Sequence, residues 1–213
     1  MLAKQGHKII IPLLILSLIA VIATIIFPIL PFKYLAVSSS LLLLFCVWFF
    51  RDPNRDPGTD ENVVVSPADG RVVAYDEISD SFVGNAKMVS IFMSVFDVHV
   101  NRAPDTGEIV NDEHISGKFM SAYNPAASFE NERRRINIQG EGNRRYGVTQ
   151  IAGLIARRII PYLTVGAKMK KGEKFGMISF GSKVDIVMPA DIVIQVKLNQ
   201  KLKAGKTVIG IYK

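Results

Sequence analysis

The segment MISFGSKVDIVMP, residues 177–189, is apolar and β-branched along most of its length, yet it carries Gly181-Ser182 near its centre. Glycine and an unpaired hydroxyl both weaken a strand, so this placement points to chemistry rather than packing. A serine hydroxyl becomes a useful nucleophile only when a base takes its proton. The chain has three histidines. His7 sits beside a long apolar run, and His114 lies in the polar stretch NDEHISG, read as a solvated loop. His99 differs: in MVSIFMSVFDVHV a period of two sets Val89, Ile91, Met93, Val95, Asp97 and His99 on one strand face, so an apolar face ends in a carboxylate and an imidazole. Either His99 is the base or the two polar residues simply emerge at the strand end. Asp69, in SPADG, is either the acid that orients His99 or a turn former of the Pro-x-Asp-Gly kind. Ser182, His99 and Asp69 are therefore the candidate catalytic set, and Gly181-Ser182 the candidate reactive bond.

Other chemistries find less support. Ser182 is followed by Lys183 and Val184, which is not the G-x-S-x-G elbow of an α/β-hydrolase. QGEGNRRYG is too loose for a dinucleotide fingerprint and reads as a hairpin turn. The single cysteine, Cys46, falls in an apolar run, so no disulfide framework and no metal site is expected.

These residues must be carried by two different kinds of chain. Residues 9–50 hold one charge, Lys33, and crossing a bilayer core takes roughly 20 apolar helical residues. Pro28, Pro31 and Lys33 interrupt the run, which predicts a transmembrane hairpin within residues 1–50, with spans at about 9–30 and 34–50. Lys4, Lys8, Arg51 and Arg55 flank the pair and only Lys33 lies in its turn, so both ends are expected on the cytoplasmic side of the cell membrane. A cleaved signal peptide is the competing reading, but the first run is long for one and no small-residue cleavage site follows it. The net charge of +7 suits an anionic partner, and the lipid surface is the nearest; nothing else in the chain favours nucleic acid.

Residues 51–61, RDPNRDPGTDE, form a connector that Pro53, Pro57 and Gly58 keep from continuing as helix. From residue 62 to 213, short runs rich in Val, Ile and Phe alternate with Gly, Asn, Asp and Pro, which predicts a mainly β (α+β) domain of sandwich or barrel type. One helix is expected near 148–160, VTQIAGLIARRI. PADGRVV from Pro67 echoes PDTGEIV from Pro104, and KKGEKFGMI from Lys170 echoes KAGKTVIGI from Lys203. Duplicated hairpins would produce both echoes, and so would turns that merely recur.

FFRDPNRDPG, SPADG, SVFDVHVNRAP, ENER and FGSKVDIVMP follow one another in an order that resembles the short, membrane-associated branch of the phosphatidylserine decarboxylases, over nearly everything from Phe49 onward. The resemblance implies a proenzyme that cuts itself between Gly181 and Ser182 and turns Ser182 into a covalent pyruvoyl cofactor. It places the family's aspartate and histidine on Asp69 and His99. It implies conversion of phosphatidylserine in the membrane to phosphatidylethanolamine and carbon dioxide through a Schiff base. The partners would be the lipid and the chain's own two fragments held as a heterodimer, with a homo-oligomer an open possibility. Arg133, Arg134 and Arg135, beside ENER, are candidates for the lipid phosphate or for a solvated face. Two other functions compete: a biotinyl- or lipoyl-like carrier, for which AKMKKGE offers a lysine at a hairpin tip, and a membrane-bound serine hydrolase turning over on Ser182, His99 and Asp69.

Overall fold

The computed structural model describes residues 1–124, 126–154, 158–179 and 181–212. The chain divides into two compact units, Met1–Asn54 and Arg55–Lys213. In the first, α1 (His7–Ile26) and α2 (Leu30–Phe49) are each long and apolar enough to cross a membrane. Pro31 sits in the first turn of α2, where its missing N–H costs nothing. The helices are joined side to side by a hydrogen bond between the Ser17 and Ser40 hydroxyls at 2.8 Å, a polar contact of the kind that links helices in lipid.

The second unit is mainly β. Its strands are β1 (Val63–Val65), β2 (Gly70–Asp80), β3 (Gly84–Met93), β4 (Val100–Arg102), β5 (Gly107–Ile115), β6 (Arg133–Gly140) and β7 (Arg145–Ile151). They are followed by β8 (Ile159–Pro161), β9 (Lys168–Met169), β10 (Lys174–Ile178), β11 (Ser182–Pro189), β12 (Val193–Ile194), β13 (Lys201–Leu202) and β14 (Val208–Ile211). One helical turn, α3 (Ala127–Glu130), precedes β6. The main sheet has the order β13-β2-β3-β11-β7-β6-β5-β9, with smaller sheets β1-β14-β12 and β4-β10-β8. Strand β11 runs antiparallel to both neighbours, from Ser182↔Met93 to Pro189↔Ala86 on β3 and from Lys183↔Ile151 to Val187↔Gly147 on β7. Val184, Ile186 and Met188 on one face of β11 enter the core with Ile91, Val148 and Phe175. Alternation puts Ser182 on that same face and Lys183 and Asp185 on the other.

The helix expected at 148–160 does not form over its first part: residues 148–151 belong to β7, between β6 and β11. Val148, Thr149 and Ile151 are β-branched, and pairing on both sides decides for strand over a helical period. Residues 155–157 of that stretch lie outside the described residues. The turn EGN, residues 141–143, joins β6 to β7 as a hairpin, with Gly142 at φ +58°. His114 belongs to β5 rather than to a loop, with its side chain half exposed near Glu132.

The two sequence echoes are structural counterparts. Val65 donates its N–H to Pro104 O at 2.9 Å, and Arg102 donates its N–H to Pro67 O at 2.9 Å, so the two turns hold each other reciprocally. The Gly205 N–H reaches Ser66 O as the Gly172 N–H reaches Ala103 O, each at 2.8 Å. The Ala204 N–H bonds Asp69 Oδ1 at 2.7 Å, and the Lys171 N–H bonds Thr106 Oγ1 at 3.2 Å. A threonine thus does in one half what a carboxylate does in the other. The turn alone does not require Asp69 to be an acid.

Candidate active site

Ser182 opens a central strand and is fully buried. Gly181, just before it, has φ +58°, a left-handed conformation in which a side chain would be strained. The Gly181 carbonyl oxygen presses against Gly153: a Cβ built on Gly153 would meet that oxygen at 2.0 Å. The Gly181-Ser182 peptide is therefore shaped by two glycines, one supplying the turn and one the room.

His99 does not end the strand face expected from the period of two. Strand β3 stops at Met93 because Ser94 and Asp97 close a turn on their own side chains: Asp97 Oδ2 accepts the Ser94 N–H at 2.9 Å and its hydroxyl at 2.7 Å. His99 follows that turn, immediately before β4, and is fully buried. Its Nδ1 lies 2.9 Å from the Asp97 carbonyl, to which it donates, leaving Nε2 as the acceptor of the Gly181 N–H at 3.1 Å. The imidazole thus points a free-base nitrogen at the Gly181-Ser182 segment. The Ser182 hydroxyl donates to the Met93 thioether at 3.5 Å, a weak acceptor, so turning it toward another base costs about 1 kcal/mol or less.

Asp69 is buried beside β2, where its carboxylate pairs with Arg55 at 2.9 Å and accepts the Ala204 N–H. The orienting bond on Nδ1 of His99 comes from the Asp97 carbonyl. The structure brings His99 to Gly181, the residue before Ser182, while the bonds of Asp69 described above run to Arg55 and Ala204. The arginines beside ENER are engaged: Arg134 forks onto Asp112 at 2.7 and 2.9 Å, Arg135 binds Asp80, and Arg133 donates to the carbonyls of Phe129 and Asn131. Burial alone would push the Asp80 carboxyl up, but the backbone N–H donors of Val83 and Phe82 and the Arg135 guanidinium outweigh it and leave the carboxyl below its usual range.

Sequence reasoning missed Gly153 and the other face of β11. There Lys183 reaches Ser128 Oγ, and Ser128 donates to Asp185 Oδ2 at 2.8 Å. A cavity of about 490 Å³ has Lys183, Ser128, Tyr123 and Phe129 in its lining. A glycine that follows an apolar strand and precedes Leu154 carries no local sign of the carbonyl that approaches it; only the pairing of β7 with β11 brings the two together.

A family model described as phosphatidylserine decarboxylase matches residues 42–210. Curated relatives carry the name phosphatidylserine decarboxylase proenzyme. That of Symbiobacterium thermophilum is 45% identical over 171 residues, 79% of this chain and 80% of the relative. That of Chlorobium phaeobacteroides is 42% identical over 214 residues, spanning 100% of both chains, and that of Geotalea uraniireducens is 40% identical over 91% of each.

Proposed function

The chain belongs to the phosphatidylserine decarboxylase family, and from that premise we propose that it cuts its own Gly181-Ser182 bond and then decarboxylates phosphatidylserine to phosphatidylethanolamine on a pyruvoyl group made from Ser182. The observation that carries this reading is Nε2 of His99 at 3.1 Å from the Gly181 nitrogen, beside a buried serine at the head of a central strand. A group made from the serine itself fits these residues. It needs no separate binding pocket, and β3 and β7 hold the strand that bears it.

The cut follows from the chain's own groups. His99 Nε2 takes the Ser182 Oγ proton, Oγ attacks the Gly181 carbonyl carbon, and the proton passes to the departing Ser182 nitrogen as amide becomes ester. Loss of the Ser182 Cα proton expels the Gly181 carboxylate and leaves dehydroalanine, which adds water and releases ammonia. The resulting carbonyl, joined to the amine of the serine headgroup, supplies the electron sink that departing carbon dioxide requires. Asp69 acts as a positioning residue. It anchors the SPADG turn, whose Pro67 carbonyl accepts the Arg102 N–H at 2.9 Å and Asn101 Nδ2 at 3.4 Å on β4, the strand that His99 leads into.

The fragments 1–181 and 182–213 stay together because the cut lies inside one sheet. Strand β11 remains between β3 and β7, β13 on β2, and β14 on β1. Tyr212 donates to the Tyr146 hydroxyl at 2.6 Å, which donates to Asp105 at 2.6 Å across the same divide. Burial pushes Tyr212 up to about 12, and burial with the Asp105 carboxylate raises Tyr146 above the usual phenol range, so both remain neutral donors at physiological pH. Two apolar helices tie the chain to a membrane, and we assign the catalytic unit to its cytoplasmic side, where the basic flanks lie.

The test of this function is conversion of phosphatidylserine in vesicles by the purified chain without added pyridoxal phosphate, read as released carbon dioxide. Dependence on added pyridoxal phosphate contradicts it. Gly153→Ala is expected to slow the cut roughly 5- to 150-fold, since overpacking of about 1–3 kcal/mol falls on the Gly181 carbonyl. A denaturing time course that matches the unaltered chain would show that the carbonyl can move away freely.

A further inference from the structure

Among the described residues of the Arg55–Lys213 unit, the four most exposed large apolar side chains are Phe96 (68%), Tyr123 (70%), Phe129 (77%) and Leu154 (63%). All four stand on connecting segments, Phe129 in the single turn α3, at the end of the main sheet where β11 begins at Ser182. Phe96 lies in the turn that follows Met93, the register partner of Ser182. Leu154 follows Gly153, which packs on the Gly181 carbonyl. Tyr123 meets Phe92 edge-on at 5.5 Å, and Phe92 is the register partner of Lys183. Phe129 follows Ser128, which bonds Asp185 and Lys183. Four exposed apolar side chains gathered at the end of the sheet where β3 and β7 stop and β11 begins are unlike the scattered single hydrophobes of an ordinary surface.

We infer that these segments form a membrane-inserting rim that seats this end of the sheet, with Ser182 at the head of β11, in the bilayer interface. Their occupant is the lipid surface. The same chain carries two helices able to cross a bilayer, so that surface is always within reach. Beside the aromatic rings stand Arg158, exposed after Leu154, and Lys118, 71% exposed while ion-paired to Glu130 at 2.8 Å, and aromatic rings with basic residues are the composition of interfacial segments. The net charge of +7 complements an anionic leaflet. This deepens the proposed function and rests on it: a substrate with two acyl chains can present its headgroup to Ser182 without leaving the interface.

The test uses the full chain in vesicles containing lipids brominated near the headgroup end of the acyl chains. Trp48 is the single tryptophan, so Trp48→Phe gives a silent background. Into it are placed, one at a time, Phe96→Trp, Tyr123→Trp, Phe129→Trp and Leu154→Trp, with Val110→Trp and Val165→Trp as exposed positions outside the rim. Insertion predicts that bromine lowers emission about twofold at the four rim positions and hardly at the two others. Equal emission at all six overturns the inference, as does cross-linking of rim positions between copies of the chain, which would assign the face to a dimer. Denaturing mass spectra of the same samples separate the two readings. Quenching in an uncut chain keeps the rim and sinks the proposed function, whereas a cut chain without quenching does the reverse.

Discussion

Ser182→Ala is expected to leave a single full-length chain that never separates in denaturant and releases no carbon dioxide from phosphatidylserine. The hydroxyl is the only atom of residue 182 that can attack the Gly181 carbonyl, and it is also the source of the group on which turnover is proposed to run, so one substitution removes both steps. Folding should survive, because the lost contact is a single weak bond to the Met93 thioether, and the β3 and β7 ladders around β11 are backbone bonds. Unchanged circular dichroism with complete loss of the cut is the expected pair of readings. A chain that still divides would place the cut elsewhere, and an uncut chain that still decarboxylates would remove the need for it.

His99→Gln carries the second large effect. The glutamine carbonyl can still accept the Gly181 N–H, so the loop keeps its partner, but no amide can take the Ser182 proton. General-base contributions of this kind are worth roughly 10²–10⁴-fold, and the cut should slow by that factor in a denaturing time course begun at synthesis. His99→Ala should slow it similarly, at an added stability cost of about 1–3 kcal/mol for the unpartnered Gly181 N–H. A His99→Gln chain that divides at the ordinary rate would confine His99 to holding the loop.

Much of this architecture is written locally in the chain. The apolar run broken by Pro28, Pro31 and Lys33 becomes α1 and α2 because a helix needs only its own residues to satisfy its backbone in lipid. The short β-branched runs after residue 62 become strands, and SKVDIVMP becomes β11, between β3 and β7. What could not be read there depends on contacts between distant residues. VTQI has a helical spacing of apolar residues, and only β6 and β11 on either side make it a strand. His99 reads as the end of a strand face until the Ser94–Asp97 turn intervenes, and that turn brings the Asp97 carbonyl to Nδ1 of the imidazole. Gly181-Ser182 was legible because two residues conflict with the strand around them; Gly153 was not, because its reason lies on another strand.

The proenzyme geometry also bears on timing. The hydroxyl rests on Met93 Sδ rather than on His99, and His99 Nε2 rests on the Gly181 N–H. Both partners must be exchanged before the proton can move, so the cut waits on a local rearrangement of groups that the folded sheet has already brought together.

The central claim is that the chain makes its own carbonyl from Ser182, and the most direct test is the intact mass of the purified protein under denaturing conditions, followed by amino-terminal sequencing of the smaller piece. The account predicts two chains, residues 1–181 and residues 182–213, the latter beginning with a ketone in place of an amine and therefore refractory to Edman degradation. A single chain of full mass, or a smaller piece that begins with an ordinary serine, would contradict it.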